Sequence, residues 1–244
     1  MTLIVFGGGP SSRLLAHRLG CRRNLLNADI IIRWRTTDHY PNKKAFEINP
    51  RIAVVNSSHK YASLCIMKDH GLNVPPVLMS PVDVEADIAK HPDHIWFGRN
   101  NYHSKGTDIV TYGKKYVMTK PSTKHDYFIQ YLKPKAEYRY HVAFDKVILP
   151  TKKILSEGET DDTLIRNHQD GKWIQITCKE TERFSQACIA AVKMHGLHFG
   201  AVDFLNVGGN PVILEINTAP GLQVDNRLDA YAEAIDAFLL KERP

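Results

Sequence analysis

Apolar and polar positions change period several times along the chain. Residues 2–6 form a short apolar run ending in glycine, and 11–19 carry Leu14, Leu15 and Leu19 at helical spacing before Gly20. That rhythm predicts a strand over 2–6 and a helix over 11–19, followed by a second strand over 29–33 and a third over 52–55. The opening is therefore β-α-β, a small α/β lobe. A helix is expected over 58–70, stopped by Gly71, and Pro75-Pro76 force an extended exit. Ser80-Pro81-Val82-Asp83 then reads as a helix start, with an N-cap serine, a proline in the first turn and an acid beside the positive end of the helix dipole.

From residue 94 to 150 the pattern becomes that of short strands, expected over 95–99, 108–111, 116–119 and 127–132, with a long one over 137–149 bent near Asp145-Lys146. Residues 156–172 are polar and turn-rich, a loop. The stretch 181–195 returns to helical period, placing Phe184, Ala187, Cys188 and Ala191 on one stripe before Gly196. A hairpin over 200–207 and 211–217 and a helix over 226–239 complete the chain. The expected fold class is α/β (α+β) in three lobes: 1–75, a β-rich 76–132, and 133–244 bearing the hairpin.

The hairpin is the most informative segment. With Asp203 opposite Glu215, a three-residue loop at Gly208-Gly209-Asn210 pairs Val207 with Pro211. Cross-strand partners share a face, as do residues two apart. Val202, Phe204, Leu214 and Ile216 then form one apolar face, while Asp203, Glu215 and Asn217 gather on the other. A one-residue slip would scramble both sets. Two carboxylates and an amide oxygen are hard donors that suit Mg²⁺ better than zinc, with Glu215 able to bridge two ions. The plain alternative is a solvated polar sheet face.

At this point the sequence resembles the ATP-grasp superfamily, notably D-alanine–D-alanine ligase and the ribosomal-protein glutamate ligases. The resemblance rests on Val202-Asp203-Phe204 and on Glu215-Ile216-Asn217-Thr218-Ala219-Pro220-Gly221, which match an acid-bearing strand followed by a Glu-x-Asn-x-x-Pro-Gly run. It covers the chain from about residue 56 onward, residues before it looking like the usual preceding lobe.

The resemblance implies an ATP-dependent carboxylate–amine ligase working through an acyl phosphate and releasing ADP. It implies ATP with two Mg²⁺ ions, Mn²⁺ being an alternative, held by Asp203, Glu215 and Asn217. Gln130, Tyr131 and Leu132 would line the adenine, and Glu137 the ribose. Arg139 would meet a phosphate or the acyl phosphate. Arg99 stands where relatives present a nucleotide-binding lysine, with Lys120 its rival. Lys105 lies in a His103–Thr107 stretch resembling a phosphate-covering loop, and Arg166-Asn167 resembles an element reaching toward phosphate and metal. Lys152 and Lys153 are candidates to face an acidic substrate.

Composition narrows the partners. Apolar residues make up 43% and charged ones 24% of 244, which excludes global disorder. No apolar run reaches the length of a membrane span, roughly 20 residues. The N-terminus lacks the basic leader and cleavage site of a signal peptide. Four scattered cysteines without a CxxC pair suggest reduced thiols in a cytoplasm. Twelve histidines form no HExxH or comparable ligand set. A net charge of +6 suits ATP and an acidic substrate, and no dense Lys/Arg block marks a nucleic-acid arm. The Gly7-Gly8-Gly9-Pro10-Ser11 turn lacks the GK[ST] ending and matches GxGxxG only in part, so it reads as a structural turn with an anion cradle as the alternative. The substrates expected are a small-molecule or peptide carboxylate and an amine; the sequence leaves the oligomeric state open, a homodimer included. The rivals are a kinase-like phosphotransferase on this fold and a non-catalytic basic binding module.

Overall fold

The structure, a computed structural model, describes residues 2–102, 109–114, 124–155, 164, 171–177 and 182–241. Its first lobe is a four-stranded parallel sheet in the order β2-β1-β3-β4, built from β1 (Leu3–Gly7), β2 (Arg22–Arg23), β3 (Ile30–Trp34) and β4 (Phe46–Ile48), with α1 (Gly9–Arg18) crossing between β1 and β2. All five residues of β3 are buried, as expected for a parallel strand covered on both faces. Its one charged member, Arg33, is fully enclosed; its Nη2 donates to Glu47 Oε1 at 2.8 Å and its Nη1 to the Asp38 carbonyl at 2.7 Å.

Residues 52–55, expected as a strand, belong instead to α2 (Arg51–Ser58), which leads into α3 (Lys60–Asp69). Four consecutive apolar residues cannot distinguish strand from helix by period. What decides is burial at helical spacing: Ala53, Val54 and Ser57 face the core while Ile52 is 63% exposed. The third parallel partner of the sheet is β4.

The second lobe pairs β5 (Val77–Leu78), β6 (Trp96–Arg99), β7 (Val110–Tyr112) and β8 (Tyr127–Gln130) in the antiparallel order β5-β8-β6-β7, with α4 (Pro81–Lys90) beside it. Ser80 caps α4 by accepting from the Val82 amide at 3.2 Å, as its sequence predicts. Val84, Trp96, Tyr112 and Phe128 form a separate small core. β8 faces two ways, because Tyr127 and Ile129 belong to the main core while Phe128 belongs to the small one. The strand expected over 116–119 lies outside the described residues.

The third lobe is a five-stranded antiparallel sheet, β11-β10-β9-β12-β13, formed by β9 (Ala136–Ala143), β10 (Lys146–Leu155), β11 (Gly171–Gln175), β12 (Phe199–Val207) and β13 (Asn210–Asn217). The long strand expected over 137–149 is a hairpin: Phe144 and Asp145 take positive φ, 47° and 65°, and turn the chain back on itself. Of the expected 156–172 loop, the last two residues already belong to β11. The helix α5 (Glu182–Met194) lies on one sheet face, burying Phe184, Cys188 and Ala191 against Tyr140, Val202 and Phe204. The helix α6 (Asp225–Lys241) packs on the other face and against the first lobe, where Tyr231 meets Trp34 and Phe199 at ring-centroid distances of 5.7 and 5.6 Å. No helix among the described residues is long and apolar enough to cross a membrane.

Buried hydrogen bonds from Asn49 help join the first lobe to the third. Asn49, fully buried at φ 61°, accepts from the amides of His198 and Phe199 at 2.8 and 3.0 Å, and its own amide nitrogen donates to the Phe199 carbonyl at 3.0 Å. Ser11 adds a second tie, its hydroxyl accepting from the Leu222 amide at 3.0 Å.

Candidate active site

The expected register of the hairpin holds at its centre and slips at its end. Asp203 pairs with Glu215, Val202 with Ile216 and Ala201 with Asn217. Between Asp203 and Phe204 the ladder shifts, so Phe204 faces Ile213 and Leu214 is an extra residue, a β-bulge. The turn consequently has two residues, not three: Gly208 and Gly209 at φ 57° and 86° connect the pair Val207 and Asn210, the geometry that matches strand twist. The bulge also corrects the apolar face. Ile213, 1% exposed, joins Val202, Phe204 and Ile216 in the core, and Leu214 turns to the cleft.

That cleft, about 800 Å³, runs between the second lobe and the sheet of the third. It gathers Arg99 from β6, Gln130, Tyr131 and Leu132 from the end of β8, Glu137 and Arg139 from β9, and Asp203, Glu215 and Asn217 from the hairpin. The remaining residues singled out from the sequence, Lys105, Lys120, Arg166 and Asn167, lie outside the described residues. Of the lysine pair, Lys153 enters the cleft and Lys152 is not among its lining residues.

Charges alternate along the cleft floor. Arg139 and Asp203 are neighbours on paired strands, and the guanidinium binds the carboxylate with two hydrogen bonds, Nε to Oδ1 at 2.5 Å and Nη2 to Oδ2 at 2.7 Å. The other side of Arg139 is covered by the Trp173 ring, 4.6 Å from its centroid. Lys60, the first residue of α3, reaches Glu215 Oε2 at 3.0 Å. Lys153 approaches Glu137 at 3.5 Å. Asn217 donates to both hairpin carboxylates, Glu215 Oε1 at 3.0 Å and Asp203 Oδ2 at 3.3 Å.

The two carboxylates respond in opposite directions. Burial lifts Asp203 above the ordinary range, and Arg139 offsets that only in part. Burial pushes Glu215 the same way, but Lys60, Asn217 and Arg139 together outweigh it and leave it at about 2. Burial alone would lower Arg139, yet Asp203, Glu215 and Glu137 raise it, so it stays charged. Lys60 and Trp173 were not foreseen: one lies at the head of a helix more than 140 residues before Asp203, the other on an edge strand that begins at the end of the expected loop.

The donors fit a divalent cation. All are hard oxygens, two carboxylates and an amide, and positive side chains already stand against both carboxylates. Among the described residues no group of three or more His, Cys, Asp or Glu could hold a metal by itself.

A parallel-sheet lobe, a small antiparallel lobe and a five-stranded sheet bordering a cleft with this hairpin on its floor make up the ATP-grasp fold. Solved structures agree: the ATP-grasp ligase PsnB, complexed with minimal precursor, Mg and ADP, superposes with a TM-score of 0.72 at 14% identity over 97% of this chain and 96% of that one. D-alanine–D-alanine ligase from Bacillus anthracis, complexed with ATP, gives 0.64 at 14% identity over 100% and 99%. At such identities the likeness establishes the fold. In sequence, the chain is 26% identical over 211 residues to a probable alpha-L-glutamate ligase of Haemophilus influenzae, covering 81% of this chain and 68% of the relative. A probable alpha-L-glutamate ligase of Marinomonas sp. is 28% identical over 199 residues, 73% of this chain and 61% of that one. A scan against protein-family models finds no match.

Proposed function

We propose that this protein is an ATP-dependent ligase that joins a carboxylate to an amine through an acyl phosphate and releases ADP and phosphate. The observation that carries it is the row Asp203, Glu215 and Asn217 on the cleft floor, flanked by Arg139 and Lys60. In this reading the three hairpin side chains hold two Mg²⁺, with Mn²⁺ able to substitute, and the ions supply charge neutralisation to the triphosphate. Gln130, Tyr131 and Leu132 border the base, Glu137 the ribose, and Arg99 or Lys120 the phosphates. Lys105, Arg166 and Asn167 belong to the same proposal as phosphate-side contacts.

The chemistry needs no protein nucleophile. An oxygen of the substrate carboxylate attacks the γ-phosphorus, and the bond to the β-phosphate oxygen breaks with its electron pair leaving on ADP. The amine nitrogen then attacks the acyl carbon, phosphate departs with the bonding pair, and the amine loses a proton. In this reading Arg139, held by Asp203 and Trp173, stabilises negative charge on the transferring group. Catalysis is then positioning plus electrostatics. We take the lobes to divide near residues 75 and 132 and the protein to work in the cytoplasm, with a homodimer as a compatible assembly.

The test is ADP release across a panel of amino acids and short peptides, with hydroxylamine present. The reading predicts Mg²⁺-dependent ADP formation, hydroxamate from the trapped acyl phosphate, and an amide product by mass spectrometry. A stable phosphoester without hydroxamate would instead establish the phosphotransferase, and failure to bind ATP with Mg²⁺ would leave a binding module.

A further inference from the structure

Every carboxylate oxygen of the hairpin pair already accepts from a donor of the chain itself. Asp203 Oδ1 and Oδ2 accept from Arg139, and Oδ2 also from Asn217. Glu215 Oε1 accepts from Asn217 at 3.0 Å, and Oε2 stands 3.0 Å from the Lys60 ammonium. Asn217 turns its NH2 group, not its oxygen, to both acids. A divalent cation that binds these oxygens therefore has to displace a donor that belongs to the fold.

The three donors differ in how readily they give way. Arg139 makes two bonds to Asp203 and lies against the Trp173 ring, so it is held on two sides. Asn217 can exchange its NH2 for its oxygen by half a turn of its amide, without leaving its place. Lys60 makes a single ion pair among the described residues, through a flexible four-carbon stem that is 15% exposed and lines the cleft. Lys60 is the donor that can step aside.

Its position is costly for a lysine. Lys60 is the first residue of α3, where the helix dipole presents its positive end. The chain breaks between α2 and α3 at His59, at φ −82° and ψ 97°, and the His59 ring caps α3 by accepting from the Ala62 amide at 3.2 Å. From that break Lys60 reaches across to β13. Among the described residues, five cationic side chains line the cleft against three carboxylates. A bare dication therefore meets a net positive surface, whereas a polyphosphate is drawn in.

We propose that Lys60 is a built-in counter-ion of Glu215, a positioning residue that bars bare divalent cations from the hairpin and withdraws when the cation arrives on a nucleotide. The phosphates then supply the negative partner that the ammonium gives up. This rests on the metal half of the ligase reading and not on amide formation.

Mn²⁺ binding to the full chain, read by electron paramagnetic resonance without turnover, tests it. Without nucleotide, Lys60→Met should bind Mn²⁺ about tenfold or more tightly than the wild type, and Lys60→Arg should bind it as weakly as the wild type. Adding Glu215→Gln to Lys60→Met should abolish the gain, which places the ion at the hairpin. With ADP present the gap between wild type and Lys60→Met should shrink. Equal affinities without nucleotide, or a gap that ADP leaves unchanged, would overturn the assignment. So would a lowered melting temperature in Lys60→Met at unchanged Mn²⁺ affinity, the mark of an ion pair that only holds α3 to the sheet. If no form binds Mn²⁺ even with ADP, the metal reading and the role of Lys60 fall together. The expected Mn²⁺ pattern without any ADP release from ATP would uphold Lys60 and sink the ligase.

Discussion

Asp203 and Glu215 face each other across one strand pair, yet losing their charge should have different costs. Arg139 is held by two short hydrogen bonds in a buried position, so Asp203→Asn strands a guanidinium that has nowhere to go. Breaking such a buried pair from one side costs about 3–5 kcal/mol. At roughly 2–4 °C of melting temperature per kcal/mol for a chain of this size, calorimetry should record a fall on the order of 10 °C. Lys60 has a flexible stem that can carry its ammonium to water, so Glu215→Gln should melt within a few degrees of wild type. Its ADP release should nevertheless drop by about two to three orders of magnitude, the scale of losing one preorganised electrostatic contact. Equal melting temperatures for the two variants would contradict the Arg139 account. At this scale the sequence was legible where residues are close along the chain, as in Glu215-Ile216-Asn217. It was silent on Lys60 and Trp173, which only the fold brings to the site.

The hairpin shows what period-two reading can and cannot see. Alternation located the facing acids, because only one register buries Val202 and Ile216 together. It could not see the bulge, since Ile213 and Leu214 are both apolar and either could serve the core. The structure predicts a clear difference: Ile213→Ala should cost about 2–5 kcal/mol by urea titration, the usual range for truncating a buried isoleucine. Leu214→Ala should cost much less and show instead in nucleotide affinity. The reverse order would restore the unbulged register. The strand expected over 52–55 failed for a related reason, an apolar run too short to reveal its period.

α5 carries a pH dependence of its own. His195, just past its end, accepts or shares a hydrogen with Ser63 Oγ at 2.9 Å and lies 2.8 Å from the Ala191 carbonyl, and burial lowers its pKa. Between the folded and the higher unfolded pKa the unfolded chain binds the extra proton. Stability from this group is thus complete above about pH 6.5 and is lost as pH falls. Burial depresses His141 and His198 in the same direction. Melting temperature should decline from pH 7 to 5, and less steeply in His195→Gln; an identical slope would exclude His195 as a contributor.

Across the whole molecule, the first and third lobes behave as one body because Asn49 is tied into the start of β12 and Trp34, Phe199 and Tyr231 share a core. Asn49→Ala removes several buried hydrogen bonds at once and strands their partners, each worth about 1–3 kcal/mol. The expected outcome is a loss of several kcal/mol in denaturant titration. A near-neutral effect would mean the lobes are held by apolar contact alone.

β8 has one further consequence. It turns one face to the main core and the other to the small core, and the amides of Gln130 and Tyr131 donate to the Pro76 and Ile95 carbonyls, so this end of β8 is bonded to the small lobe while Asp203 and Glu215 sit in the sheet of the third. A nucleotide bound at both ends would then act as a gauge stretched between two frames, setting their spacing by its own length.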